Sequence, residues 1–383
     1  MKNKVFVPTI SLLAFTLCFV NLYSINTMYQ DLSPARLGMY TTFYYLGYLV
    51  SQLPGGLFAD KYGPKRLLII CIVLSGISTI ALAFIDDPVL AYVMRIIGGL
   101  GSGPIMACAS KLISNTFEDL RKRTGALGFL LCSPPLGLLM ANSLTPFLLS
   151  MASRQVVLLL LGLLNLPVAI LAIGFLKPTP KVQVKISILE SVVVYRKSKT
   201  QVMLALVGFV FMFVVVGFGI WARKYYQYLG YSTTEINQLM TVFSVCAVLG
   251  AVVSGYLPVE HTKYLKVVFS VIGICFAVFA VLRSNLFVFS VLFGLIAYLP
   301  SAHFTAMAIE LSPEKYRASA ASLQNFFMQI GAFIMPTVTS VLLQCFGMYR
   351  MLWGFFAVLA FLASAMLWLL QKKPSQVYGN RAN

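Results

Sequence analysis

Residues 37–85 read LGMYTTFYYLGYLVSQLPGGLF, then ADKYGPKR, then LLIICIVLSGISTIALAFI: two apolar blocks, 37–58 and 67–85, joined by the polar turn 59–66. Each block is as long as the roughly 20-residue helix that crosses the hydrocarbon core of a bilayer. A turn with four charged side chains (Asp60, Lys61, Lys65, Arg66) between two such blocks reads as a loop returning one span to the next.

The same pattern runs through the rest of the chain. Apolar blocks occupy 5–23, 89–113, 127–150 and 156–175, and after a polar interval 202–221, 236–257, 265–282, 286–309, 318–345 and 351–370. With 59% hydrophobic and 10% charged residues, the chain inverts the balance of a soluble domain, where about a quarter of residues are charged. Strands of a transmembrane barrel are about ten residues long and alternate in polarity, unlike these continuous blocks. The expected fold is therefore an all-α integral membrane protein of 12 transmembrane helices. The first block follows Lys2 and Lys4 but precedes no small-residue cleavage site, so it is read as a retained helix. The seven cysteines fall within or at the ends of blocks, without CxxC spacing, and are read as packing residues; no metal site or cofactor is expected.

A net charge of +18 would point to nucleic acid in a soluble protein, but its distribution gives another reading. If the spans alternate from an N-terminus inside, only Arg36, Arg154, Arg223, Lys224, Arg283 and Arg350 fall in loops on the opposite side; the other Lys and Arg, apart from Arg95, fall on the side of the termini. This positive-inside bias places both termini and the longest loop in the cytoplasm. The expected partners are the lipid bilayer and a small-molecule substrate, with H+ as a candidate second solute; nucleic acid is not expected, and the chain is read as a monomer in a bacterial inner membrane.

The interval 176–201 is the longest polar stretch, and it divides the chain into six-helix bundles, 1–175 and 202–383, with a cytoplasmic loop between them. A weak repeat, FEDLRKRTG at 117–125 and SPEKYRAS at 312–319, agrees with this division. Six-plus-six repeats are common in transporters, whose substrate site lies between the halves near the membrane midplane.

The turn GGLFADKYGPKR at 55–66 closely resembles the signature after the second helix of the major facilitator superfamily, and with twelve spans and a long central loop the resemblance covers the whole chain in outline. It implies the superfamily fold and a gating role for Gly56, Asp60, Gly63, Lys65, Arg66, Glu118 and Arg123. In that reading Gly56 admits a neighbouring helix, Gly63 permits a tight turn, and Asp60 bonds basic groups such as Lys65, Arg66 or the 118–123 cluster. The matching place in the second half, GYLPVE at 255–260, lacks the pattern, so such a lock is asymmetric. In the fourth block RIIGGLGSGP at 95–104 is similar to the superfamily's arginine followed by glycines. The fifth, GFLLCSPPLG at 128–137, resembles the glycine-proline motif of the superfamily's drug antiporters but lacks its Gly-Pro pair.

Arg95 is read as the only Lys or Arg well inside a span, and an ionisable residue there marks a functional site by default. It favours an anionic substrate or a proton relay; the competing reading is a structural bridge to backbone carbonyls. Asn21, Tyr44, Tyr45, Asn142, Asn165, Tyr298, His303, Gln324, Asn325 and Gln329 are polar at membrane depth and are candidates to line a cavity or couple a proton, with helix-to-helix hydrogen bonds as the alternative. No catalytic residue is expected, because no nucleophile-base pair or phosphate loop is found. The leading functional expectation is a secondary transporter working by alternating access, importing a small organic anion with a proton. A drug or metabolite efflux antiporter of the same fold and a transport-inactive sensor or scaffold are the alternatives.

Overall fold

The computed structural model describes residues 2–177, 188–255, 257, 260–313 and 316–370. Lys181, Lys185, Glu314, Lys315, Lys372, Lys373 and Arg381 lie outside them, as do Tyr256, Pro258 and Val259 of the 255–260 stretch. Among the described residues the chain is helical and without strands. In order the helices are α1 (Lys2–Met28), α2 (Pro34–Tyr62), α3 (Pro64–Ala81), α4 (Pro88–Ser102), α5 (Ile105–Thr116), α6 (Leu120–Leu130), α7 (Ser133–Met151), α8 (Arg154–Leu163) and α9 (Asn165–Phe175). There follow α10 (Ile188–Lys197), α11 (Lys199–Tyr228), α12 (Thr233–Ser254), α13 (His261–Val281), α14 (Leu286–Ala297), α15 (Ser301–Glu310), α16 (Arg317–Phe346) and α17 (Tyr349–Leu370).

Eleven helical segments among the described residues are long and apolar enough to cross a membrane. Block 37–58, within α2, is not among them, because its tyrosines and threonines and Gln52 dilute its apolar character. It is shielded by protein, packed between α4 and α16.

Four expected spans are each two helices. Pro104 separates α4 from α5, Pro134 and Pro135 open α7 just after the turn at Leu131 and Cys132, and Pro300 follows the turn at Tyr298. Proline has no N–H to donate and its ring clashes with the preceding turn, so the backbone breaks. At Leu164, between α8 and α9, Asn165 turns its amide back onto the Leu161 and Gly162 carbonyls.

The interval 176–201 is not wholly loop, as expected from its polarity: it contains α10, and α11 begins at Lys199. Glu190 in the first turn of α10 and Arg196 and Lys197 in its last complement the helix dipole, which favours a helix even in a polar stretch.

Helices α1–α9 pack largely on one another and α11–α17 likewise; the two sets meet chiefly through α2 on α16 and α7 on α12. Large apolar residues such as Ile70, Ile170, Val267, Val288 and Trp368 face outward, whereas Arg95, Arg223, Asn21, Asn142 and Gln324 are buried. This is the arrangement of a helical bundle whose solvent is lipid and whose interior carries the polar work.

Glycines set the helix spacing at few places. A Cβ on Gly55 would lie 2.6 Å from the Pro104 ring, and one on Gly99 would strike the Tyr44 carbonyl. Gly56, expected to admit a neighbour, has open space around it; its partner in the GG pair carries that role instead. Gly63 has φ +89°, the left-handed geometry expected of the turn between α2 and α3.

Candidate functional site

The face with the start of α1 and the end of α17 is called here the terminal face, and the other the distal face. Arg95 is 3% exposed in α4. Its Nε donates to the Tyr40 carbonyl and its NH1 to the Asn21 carbonyl, each at 3.0 Å, and the guanidinium lies 4.4 Å from the Tyr44 ring centroid. The carbonyl bridge is thus real, and it leaves NH2 buried without a hydrogen-bond partner. Tyr44 is itself fixed, its hydroxyl 2.8 Å from the Cys18 carbonyl, to which it donates, and 2.6 Å from Ser102 Oγ. Asn21 donates to Ser75 Oγ at 3.0 Å. Arg95, Asn21 and Tyr44 therefore form one cluster joining α1, α2, α3 and α4.

Tyr23 of α1 and Tyr45 of α2 come together with Tyr298, at the break between α14 and α15. All three are buried, and the trio carries hydroxyls across the boundary between the two sets of helices. Asn142 of α7 crosses the same boundary toward the distal face, donating to Ser244 Oγ of α12 at 2.9 Å.

His303 of α15 lies with Nδ1 2.7 Å from His261 Nδ1 and its ring 4.3 Å from the Tyr264 ring, while His261 Nε2 is 3.3 Å from Glu310. Both histidines of the chain thus share one cluster near the terminal face. Gln324 accepts from the Tyr195 hydroxyl at 2.7 Å and donates to the Leu204 carbonyl at 3.1 Å, tying α16 to α10 and α11. Gln329 is buried with Oε1 unpartnered, and Asn325 is half-buried on the same helix. Asn165 stays apart, bonded within its own turn and packed where a Cβ on Gly76 would stand.

The turn 59–66 behaves differently from expectation. Asp60 forms its ion pair with Lys111 on α5, not with Lys65, Arg66 or Arg123. Lys65 instead donates to the carbonyls of Ile173 and Leu176 at the end of α9, and Arg66 and Glu118 are exposed. A helical Asp60 points its carboxylate sideways across the bundle, where α5 supplies the nearest cation.

Arg223 and Lys224 are the residues the sequence reading misplaced. Expected in a distal loop, they sit in the last turns of α11, 4% and 9% exposed, so Arg95 is not the only cation buried within a span. Helix α11 continues because nothing breaks it before Gly230 (φ +88°), after which Ser232 and Glu235 form the capping box of α12. That Gly-x-Ser-x-x-Glu signal marks the true loop. Arg223 bonds the Asn142 and Asn237 side-chain oxygens at 3.2 and 2.7 Å, and Lys224 the Gln30 and Leu32 carbonyls at 2.9 and 2.7 Å.

On the distal face the seam closes further through Thr42 and Thr337 (3.1 Å) and Ser340 donating to the Pro34 carbonyl (3.1 Å).

Comparison with known proteins agrees with this architecture. The sequence profile described as Major Facilitator Superfamily matches residues 8–284 and 225–382. The chain is 24% identical to the hexuronate transporter of Bacillus subtilis (strain 168) over 365 residues, covering 87% of this chain and 85% of that one. It is 23% identical to the cis,cis-muconate transport protein of Acinetobacter baylyi over 340 residues, 84% and 82% of the two chains. Among solved structures, a nucleoside transporter, NupG, superposes with a TM-score of 0.78 at 15% identity, covering 97% of this chain and 100% of that one.

Proposed function

Because the chain belongs to the Major Facilitator Superfamily, we propose that it is a secondary transporter that carries a small organic anion into the cell together with a proton, exposing a central site alternately to the two faces. The observation that carries the anion is Arg95, whose guanidinium is buried, ringed by tyrosines, and has one nitrogen without a partner. Two of its arms hold main-chain carbonyls, which fixes the direction of the third. A fixed cation in a low-dielectric interior is a strong site for a carboxylate. Relatives matching more than four fifths of their length are named for hexuronate and cis,cis-muconate, both carboxylates, which supports this reading.

The distal seam through Thr42, Asn142 and Ser340 supports a state closed on that face. In the orientation set by the basic loops the terminal face is cytoplasmic, so this state opens inward. The chain then has 12 spans in two bundles, 1–175 and 202–383, that rock about the Tyr23, Tyr45 and Tyr298 trio, and works as a monomer in a bacterial inner membrane without a cofactor. For the proton, His303, His261 and Glu310 form a chain from a buried imidazole to a carboxylate 63% exposed at its side chain.

The test is uptake of radiolabelled D-glucuronate, cis,cis-muconate, glucose and choline into proteoliposomes, with and without an inward proton gradient. Carboxylate uptake that needs the gradient and is lost in Arg95→Ala is the expected result. Uptake confined to glucose or choline overturns the anion assignment.

A further inference from the structure

We propose that Arg223 is the centre of a second anion-binding site, a recruitment site on the distal face for small hydroxylated carboxylates, and that the same side chain latches this face shut until a ligand displaces its partners. The inference rests on the transport reading above and extends it to residues that reading does not use.

Arg223 is a buried cation satisfied only by neutral groups. Its contacts on Asn142 and Asn237 are to amide oxygens, and Lys224 beside it is held by main-chain carbonyls. The acid whose charge reaches Lys224, Asp31, is bonded to Arg154 at 3.1 Å. The bonds to the asparagines already have a charged donor, but a carboxylate adds the opposite charge and can accept from two guanidinium nitrogens at once. A carboxylate presented to Arg223 therefore outcompetes the asparagines that now hold it.

There is room for such a ligand. A cavity of about 560 Å³ opens beside the guanidinium, bordered by Arg223, Asn237, Gln30, Gln227, Tyr231 and Thr234. That volume is typical of sites for small molecules. Gln30 Oε1 is buried there without a partner, an acceptor suited to a ligand hydroxyl. A cation for a carboxylate and an amide oxygen for a hydroxyl define the ligand class.

The latch follows from where the partners sit. Asn142 belongs to α7, whereas Arg223, Asn237 and Ser244 belong to α11 and α12 of the other set of helices. Turning Arg223 onto a ligand removes the cation from Asn142 and leaves α7 joined to α12 there by the Ser244 bond and the Thr241 hydroxyl on the Asn142 carbonyl. The arriving anion thus loosens the seam that bars its way, and Arg95 receives it only after the face has parted.

The experiment uses radiolabelled D-glucuronate in right-side-out and everted membrane vesicles. Arg223→Gln is expected to raise KM for influx from the distal face about tenfold, the loss of one charge-assisted hydrogen bond, and to leave KM for efflux from the terminal face within about twofold. Arg223→Lys is expected to fall between. Asn142→Asp, which supplies Arg223 with a resident carboxylate, is expected to raise the influx KM while keeping the fold. An unchanged influx KM in all three variants, or an equal rise in both directions, overturns the recruitment site. A wild-type chain that carries cis,cis-muconate but not D-glucuronate overturns the hydroxylated ligand, and one that carries neither sinks the transport reading itself.

Discussion

The carboxylate of Asp60, in the last turn of α2, is paired with the ammonium of Lys111 in the middle of α5, so the turn that most resembles the family signature is bound to a different span than the one it leads into. The side chains of Lys111 and Asp60 are 19% and 28% exposed, so the pair is screened by solvent only in part. The pair holds α2 to α5 at the terminal face, and α2 also packs on α16 across the boundary between the two sets of helices.

Asp60→Asn is expected to cut the initial rate of carboxylate uptake about tenfold at equal protein level, and Lys111→Gln to do the same. The exchange Asp60→Lys with Lys111→Asp should recover part of the rate. Rates measured in proteoliposomes decide it, and a swap no better than either single variant argues against a paired role.

Arg95 carries structure and ligand on different arms, and these separate experimentally. Arg95→Ala removes the charged donor from the Tyr40 and Asn21 carbonyls, which keep their helical bonds, at a cost of about 1.5–3 kcal/mol for each lost bond. Arg95→Lys restores a charge and one donor. The lysine variant is expected to recover most of the thermal stability in detergent but little of the uptake; recovery of both in parallel would show that the arginine is a brace alone.

The pairing of His261 with His303 and Glu310 predicts how uptake responds to the proton gradient. The 2.7 Å contact between the two Nδ1 atoms requires one ring to donate and the other to accept, while His261 Nε2 faces Glu310 at 3.3 Å, so the three groups form one hydrogen-bonded path. His261→Gln and His303→Gln are each expected to flatten the dependence of uptake on the size of the imposed proton gradient. Profiles that keep their wild-type slope in both variants remove the cluster from the coupling path.

Neighbouring glycines should respond in opposite ways. Gly56→Ala is expected to be neutral, since nothing stands within 4 Å of the new methyl, whereas Gly55→Ala meets Pro104 at 2.6 Å and should lower the melting temperature, with about 1–3 kcal/mol lost to overpacking. Equal melting curves for the two variants in detergent contradict the packing described for α2 on the break between α4 and α5.

The spans are legible in the sequence because lipid demands one simple thing, an unbroken apolar length, and the blocks from 5–23 to 351–370 supply it. The breaks at Pro104, Pro134 and Pro300 have an equally local cause, a missing N–H, but the sequence reading took each of these spans as one helix. The end of α11 is not legible, because a window that weighs apolarity stops at Trp221 and reads Arg223 and Lys224 as loop. Their partners, Asn142 about eighty residues earlier, Asn237 on the next helix and the carbonyls of Gln30 and Leu32, make burial tolerable. The same holds for Asp60 and Lys111, which alternate pairing choices in the sequence do not separate. Arg95 is legible as a site, but its division into bracing and free nitrogens depends on where the Tyr40 and Asn21 carbonyls stand.

The distal seam joins its two sides through polar contacts such as Thr42 with Thr337, Ser340 with the Pro34 carbonyl, Asn142 with Ser244 and Arg223, and Lys224 with the Gln30 and Leu32 carbonyls. When such a seam parts, water takes up the released hydroxyls and amides, and the polar contacts themselves expose no apolar surface. Exposure of apolar surface is what gives a transition a large heat-capacity change. These contacts therefore add little curvature to the temperature dependence of any parting of this seam.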